Sequence, residues 1–428
     1  MSSNSWIPIE FLNEIPKTDL HVHLDGSIRL STLIELAKTT STPLPSSSEE
    51  VLKETIFKSS YNSLEEYLQG FKYTTACMKS VENLERISYE FAIDNYKEGV
   101  RYFEVRFAPQ LIADVDSNHS MSVRNVIRIV DRGLIKARNE YNASIKNDIE
   151  PAYDYGIIVC AMRMFPEGSS YYNTLMAIHE DLDVQRLYSL ASETLVKTAI
   201  KCRDIDKIPV VALDVAGAEN GYPNKEHKVA FDIANENFLS KTVHAGEGYG
   251  PESINQAVID LNCFRIGHGF HLFSSHLISD QTIDDKDEYI RRLVKFICDR
   301  RICLEVCLTS NLGTMPNLKL EDHALKNMIK HGVSICINTD NRLVSDTTTI
   351  EELKKAIDTF NLSPKQIRDI VINGFKRSFY HGDYSDKRKY IRKAMNYYDF
   401  LCDKYKICDL YEAHKFRNSS GSELDTSA

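Results

Sequence analysis

The sequence predicts an α/β fold built on a parallel sheet. Three observations carry this. Short runs rich in β-branched and aromatic residues alternate with longer stretches of helical periodicity. Eight such runs can be counted, and several are continuously apolar rather than alternating. Alternating β and α leaves a doubly wound sheet or a closed barrel, and continuous apolar runs suit parallel strands buried on both faces. A count of eight favours the barrel: a TIM-type (β/α)8 fold with additional helices after strand 1 and at the C-terminus.

The candidate strands are Thr18–Leu24, Arg101–Phe107, Tyr155–Met162, Val210–Ala216, Thr242–Ala245, Phe264–His268, Ile302–Leu308 and Ser334–Asn338. Between them, helical periodicity marks Ser122–Glu140, Glu180–Arg203, Pro251–Leu261, Asp287–Arg301 and Glu321–His331, the last carrying His323 and His331 as structural or solvated residues. The stretch Leu33–Gly99 is mostly helical and exceeds what a minimal barrel needs. In it Leu64, Tyr67, Leu68 and Phe71 repeat at i, i+3, i+4, i+7, one apolar helix face whose plainest use is core packing. Pro364 to about Phe416 reads as two further helices. No linker or internal repeat divides residues 1–416, which are expected to form one domain. The tail Arg417–Ala428 has no apolar periodicity and is expected to be disordered.

Composition narrows the function. The chain has 428 residues, 43% hydrophobic and 26% charged, which is neither a disordered nor a membrane composition. A net charge of −9 counts against nucleic acid as the main partner. No run approaches the ~20 apolar residues of a membrane span, and the first residues show no apolar signal core. The ten cysteines form no C-x-x-C pair and are scattered through apolar segments, so reduced thiols and a cytoplasmic location are expected.

Four groups could do chemistry. On a strand, His21 and His23 project to the same side, half of a metal site or a packing pair. His244 ends another strand, and Glu247 follows it by a turn. A carboxylic acid held there against an apolar ring would have its pKa raised towards proton donation. His268 lies between Gly267 and Gly269, where backbone can pass close to a ligand. Asp340 and Asn341 follow the last strand. Each group falls at the C-terminal end of a candidate strand, where barrel enzymes assemble their sites. Three imidazoles and a carboxylate, without thiolate, suit zinc or another divalent first-row ion.

These residues carry a resemblance. Thr18–Ser27 (TDLHVHLDGS), Val215–Gly217 (VAG), His244–Glu247 (HAGE), Gly267–Gly269 (GHG), Glu305–Asn311 (EVCLTSN) and Asn338–Asp340 (NTD) together resemble the signature set of the adenosine deaminase family. The resemblance implies one zinc ion held by His21, His23, His244 and Asp340, and a purine nucleoside substrate, adenosine with 2′-deoxyadenosine beside it, deaminated in purine salvage. It implies that Glu247 protonates purine N1 and that His268 orients the attacking water and takes a proton from it. It implies that Gly217 meets N3 through its N–H, that Asp25 binds the ribose 5′-hydroxyl, and that Leu64, Tyr67, Leu68 and Phe71 form a lid over the nucleoside.

The chain also departs from the family. Many members carry a second Asp after the zinc Asp, where it contacts purine N7, and here that position is Asn341. An amide donates a hydrogen bond without first being protonated, so adenine recognition is compatible. Extra residues around Ile112–Ile149 and Phe273–Asp285 lengthen the chain. The rivals are a deaminase of AMP, adenine or a modified nucleoside, a general metal-dependent hydrolase, and a non-catalytic adenosine-binding protein. Asp25 opposes AMP, because a carboxylate repels a phosphate.

Overall fold

The computed structural model of the chain describes residues 5–114, 119–166, 168–315 and 317–420. Eight strands run β1 Lys17–His23, β2 Val100–Phe107, β3 Asp154–Met162, β4 Val210–Ala216, β5 Ser240–Ala245, β6 Arg265–His268, β7 Cys303–Val306 and β8 Ser334–Ile337. They pair in the order β1 to β8, every pair parallel. β8 meets β1 through a bridge between Val22 and Asp340. There the N–H of His23 donates to the Asp340 carbonyl at 2.7 Å, and the N–H of Asp340 donates to the His21 carbonyl at 2.8 Å. The barrel expected from the strand count is the one observed, with helices around it.

The strands are buried almost throughout, but the barrel interior is not wholly apolar. Side chains i and i+2 of a strand share a face, so Glu104 and Arg106 of β2 both turn inward among the aliphatic residues. Arg106 pairs with Asp214 of β4 and Glu305 of β7, each at 2.8 Å. Arg265 of β6 pairs with Glu305 and Glu104, each at 2.5 Å. All five charged groups are essentially sealed from solvent, a placement tolerated only because each is paired.

Surrounding helices start on side-chain caps. Ser80, Ser122, Asp183 and Asp285 each accept the N–H three residues on, ahead of Val81–Lys97, Val123–Ser144, Val184–Asp204 and Lys286–Asp299. Val123–Ser144 lies in the stretch 112–149 read as additional, yet it packs along Val81–Lys97 as an ordinary barrel helix. Gly133 permits the approach, since a Cβ there would lie 2.4 Å from the Glu85 carbonyl. Residues 115–118 of that stretch fall outside the described residues.

Several expectations are corrected. The face of Leu64, Tyr67, Leu68 and Phe71 is split between two short helices, Leu64–Leu68 and Phe71–Cys77, with Gln69 and Gly70 between them. β7 stops at Val306, and Leu308 opens a helix to Thr314, so Thr309–Asn311 sit at a helix start rather than a strand end. His323 and His331 flank the helix Leu325–Lys330 instead of riding on it. Three C-terminal helices, not two, are present: Pro364–Arg377, Tyr384–Lys404 and Ile407–Ser420. The last carries helix through 417–420, part of the tail expected to be unstructured. Residues 421–428 lie outside the described residues. Pro364–Arg377 packs on β8 and β1. Tyr390 of the next helix donates to the carbonyls of Arg101 and Ala152 beside the N-terminal ends of β2 and β3. All ten cysteines are free thiols, and no helix among the described residues is long and apolar enough to cross a membrane.

Candidate active site

The C-terminal ends of the strands open into a cavity of about 430 Å³. His23, Asp25, Leu64, Tyr67, Leu68, Phe71, Gly217, His244, Glu247, His268, Asp340 and Asn341 all line it. His21, the remaining candidate, lies just beneath, fully buried. The backbone is shaped for this convergence. His268 and Asp340 take left-handed φ of 62° and 61°, uncommon for residues with a Cβ. Such strain persists where surrounding structure fixes it, and for Asp340 the β1 hydrogen bonds do so. Gly217, at φ 101°, occupies a conformation only glycine adopts freely.

The imidazoles are wired from behind. His21 Nδ1 lies 2.8 Å from Glu305 Oε2, and His244 Nδ1 lies 2.9 Å from Asp214 Oδ2. Ionised carboxylates only accept, so both Nδ1 atoms carry protons and both Nε2 atoms present lone pairs. Arg106 ties the two carboxylates together. Burial opposes charge on Glu305, but the guanidiniums of Arg106 and Arg265 and the bond from His21 hold it well below the usual range.

At the centre, His21 Nε2 is buried without a hydrogen bond, 3.3 Å from Asp340 Oδ1. A lone pair facing a carboxylate oxygen in a sealed site is what a cation between them would relieve. His23 Nε2 lies 3.5 Å from the same oxygen and 3.2 Å from His244 Nε2. The donor atoms of His21, His244, His268 and Asp340 fall within 4.8 Å of one another, all buried. Nitrogen and carboxylate donors backed by carboxylates fit a divalent first-row ion, so the cluster can hold a metal.

Glu247 stands beside it, with Oε1 3.6 Å from His268 Nε2. Burial first, then the charges of Asp340 and Glu219, raise its pKa well above the carboxylate range. Burial, and then the neighbouring His21, push His268 well below the usual imidazole value. Asp25 is 3% exposed, and burial moves its pKa up to about 7. Its Oδ1 is buried without a hydrogen bond, 3.8 Å from His23 Nδ1. Asn341 gives its amide N–H to the Tyr67 hydroxyl at 2.7 Å, and Tyr67 is bonded in turn to Ser345 Oγ at 2.8 Å.

Residues with no role assigned from sequence prove to organise this site. Asp214, Glu305 and Arg106 orient the histidines. Their signal was present: charged residues inside strands otherwise made of apolar side chains. Glu219, two residues after Gly217, accepts from the backbone N–H groups of Gly246, Glu247, Gly248 and Tyr249. Nothing in the local pattern announces that, because the partners lie in another loop.

A (β/α)8 barrel whose C-terminal mouth gathers a histidine–carboxylate cluster able to hold a metal, with a buried glutamate beside it, is the arrangement of a hydrolase. A family model described as adenosine deaminase matches residues 16–395, and the chain belongs to that family. The adenosine deaminase of Vibrio atlanticus (strain LGP32) is 33% identical over 365 residues, covering 85% of this chain and 94% of the relative. Among solved structures, the fold resembles an N6-mAMP deaminase of Arabidopsis, with TM-score 0.67, 23% identity, and 89% and 98% of the two chains covered. It also resembles an amidohydrolase of Burkhoderia ambifaria with bound zinc, at TM-score 0.71, 18% identity, and 94% and 97% coverage. The chain is a hydrolytic deaminase acting on adenine-type compounds.

Proposed function

We propose that the protein deaminates adenosine, and 2′-deoxyadenosine, to the corresponding inosine nucleoside and ammonia, as a zinc enzyme of purine salvage. The observation that carries this is Glu247, buried in an apolar-walled cavity directly beside the histidine–Asp340 cluster, where burial favours its protonated form. His21, His23, His244 and Asp340 hold the ion. Bound there, zinc supplies the Lewis acidity that makes a water nucleophilic near neutral pH.

The chain's own residues do the rest. The apolar edges of Leu64, Leu68 and Phe71 cover the nucleoside and exclude bulk water. Asp25, buried with one oxygen free of any hydrogen bond, takes the ribose 5′-hydroxyl, and the Gly217 N–H takes purine N3. Glu247 gives its proton to N1, drawing electron density from C6. His268 and Asp340 orient the attacking water oxygen towards C6. The C6–O bond forms as one water proton passes to the Asp340 carboxylate and on to N6. The C6–N6 bond then breaks, ammonia leaves, the second water proton restores Glu247, and the product keeps the proton on N1. The ten free thiols suit a reducing, cytoplasmic setting.

A second reading has one observation in its favour. Lys72, Thr75 and Lys79 line the outer wall of the cavity, where two ammonium groups could meet a 5′-phosphate. Asp25 opposes it. The deciding experiment is ammonia release from adenosine, 2′-deoxyadenosine, AMP and adenine, before and after zinc is stripped by a chelator. Zinc-dependent turnover of the nucleosides alone supports the proposal. Turnover of AMP or adenine in their place moves the substrate and keeps the chemistry.

A further inference from the structure

Behind His268 runs a hydrogen-bond chain whose direction can be deduced from its far end. His268 Nδ1 lies 3.3 Å from Asn311 Nδ2, in the helix Leu308–Thr314. Asn311 Oδ1 lies 3.2 Å from His323 Nε2, and His323 Nδ1 lies 3.0 Å from the backbone nitrogen of Leu325. His268, Asn311 and His323 are each 1% exposed, so water cannot substitute for a missing partner.

A backbone N–H can only donate. His323 Nδ1 is therefore an acceptor, and since burial holds this imidazole neutral, with its pKa down at about 3, its one proton sits on Nε2. That proton goes to the Asn311 carbonyl oxygen, so the Asn311 amide nitrogen faces His268 and donates to Nδ1. We infer that His323 and Asn311 are positioning residues that fix His268 as the Nε2–H tautomer, so that this imidazole donates a hydrogen bond into the site. What lies at Nε2, the attacking water oxygen, rests on the function proposed above.

Two consequences separate this wiring from that of its neighbours. His21 and His244 face carboxylates through Nδ1 and offer bare Nε2 atoms to a metal. His268 has the opposite polarity, and its Nε2 is no ligand although it lies within 4.8 Å of the others' donor atoms. Nor can neutral His268 accept a proton at Nε2. The acceptor left beside the attacking water is the carboxylate of Asp340, with Oδ2 4.0 Å from His268 Nε2, since Glu247 enters the reaction as the proton donor.

The test is long-range ¹H–¹⁵N correlation on zinc-loaded protein labelled at histidine, with His268 assigned by its loss in His268→Gln. A protonated Nε2 and bare Nδ1 are expected. A bare Nε2 overturns the inference. Asn311→Asp, whose carboxylate accepts from both rings, moves the His268 proton to Nδ1 and lowers kcat at least tenfold, with KM within twofold and zinc content unchanged. Full kcat with the moved proton overturns the donor role. Should that variant not fold, His323→Leu removes the anchor: a mixture of tautomers is expected, and an unchanged single tautomer overturns the part given to His323. The tautomer is read without substrate, so failure to turn over adenosine leaves it standing, and a wrong tautomer leaves the reaction assignment standing.

Discussion

The carboxylate of Glu219 accepts the backbone N–H of Glu247 at 2.9 Å, and with it those of Gly246 and Gly248 at 2.8 Å and Tyr249 at 3.1 Å. The Ser253 hydroxyl closes the set. One buried charge thus holds the loop that carries the proton donor, and the same charge helps keep that donor protonated. Glu219→Gln offers one acceptor oxygen where two are used, leaving buried N–H groups unmatched at about 1–3 kcal/mol. Thermal unfolding should shift down accordingly. Displacing Glu247 by about 1 Å should lower kcat roughly 100-fold, with metal content unchanged. Steady-state kinetics beside metal analysis check both.

Glu247→Gln should cost about 10²–10⁴ in kcat, the usual worth of a positioned acid, while the protein still binds zinc. The raised pKa fixes the sign of the pH profile. The protonated form is active, so kcat/KM falls as pH rises through the Glu247 pKa. That descending limb should vanish from the residual activity of the variant.

Asp214 and Glu305 should matter to the metal as well as to the buried guanidiniums they pair. Asp214→Asn or Glu305→Gln frees the histidine behind which it stands and should weaken zinc about 10–100-fold. Competition with a chromogenic chelator measures this without substrate. An unchanged affinity would separate these carboxylates from metal binding.

Tyr67 and Asn341 join the helix Leu64–Leu68 to the loop after β8. Tyr67→Phe releases one amide hydrogen of Asn341 and should raise KM for adenosine severalfold. Competitive inhibition by 7-deazaadenosine, which lacks N7, should change less. Equal changes for the two compounds would remove N7 from the account of Asn341.

His227 and His323 make the fold acid-sensitive. Burial lowers both to about 3 from 6.5. Below pH 6.5 the unfolded chain binds protons the folded chain refuses. Stability is therefore complete above that pH and is lost towards pH 3, at about 1.4 kcal/mol per pH unit for each. Urea midpoints measured from pH 7 to 4 should show the decline, and it should be shallower in His227→Asn.

Much of this was legible beforehand. The eight apolar runs gave the barrel because parallel strands buried on both faces leave little alternation to misread. His21, His23, His244, Glu247, His268 and Asp340 stood out because a barrel gathers its site at strand ends, and strand ends can be located in a sequence. Residue pattern also marked the apolar face of Leu64, Tyr67, Leu68 and Phe71, which two short helices share and which lines the cavity rather than the barrel core alone. What only the tertiary structure decided is which group faces which. Glu219 reaches Glu247 across a neighbouring loop, Glu305 reaches His21 across the barrel, and His323 reaches His268 through Asn311. Such contacts join positions 12 to 284 residues apart. Local periodicity reports how a segment folds upon itself. The protonation and orientation of a buried side chain are set by whatever the closed barrel brings against it.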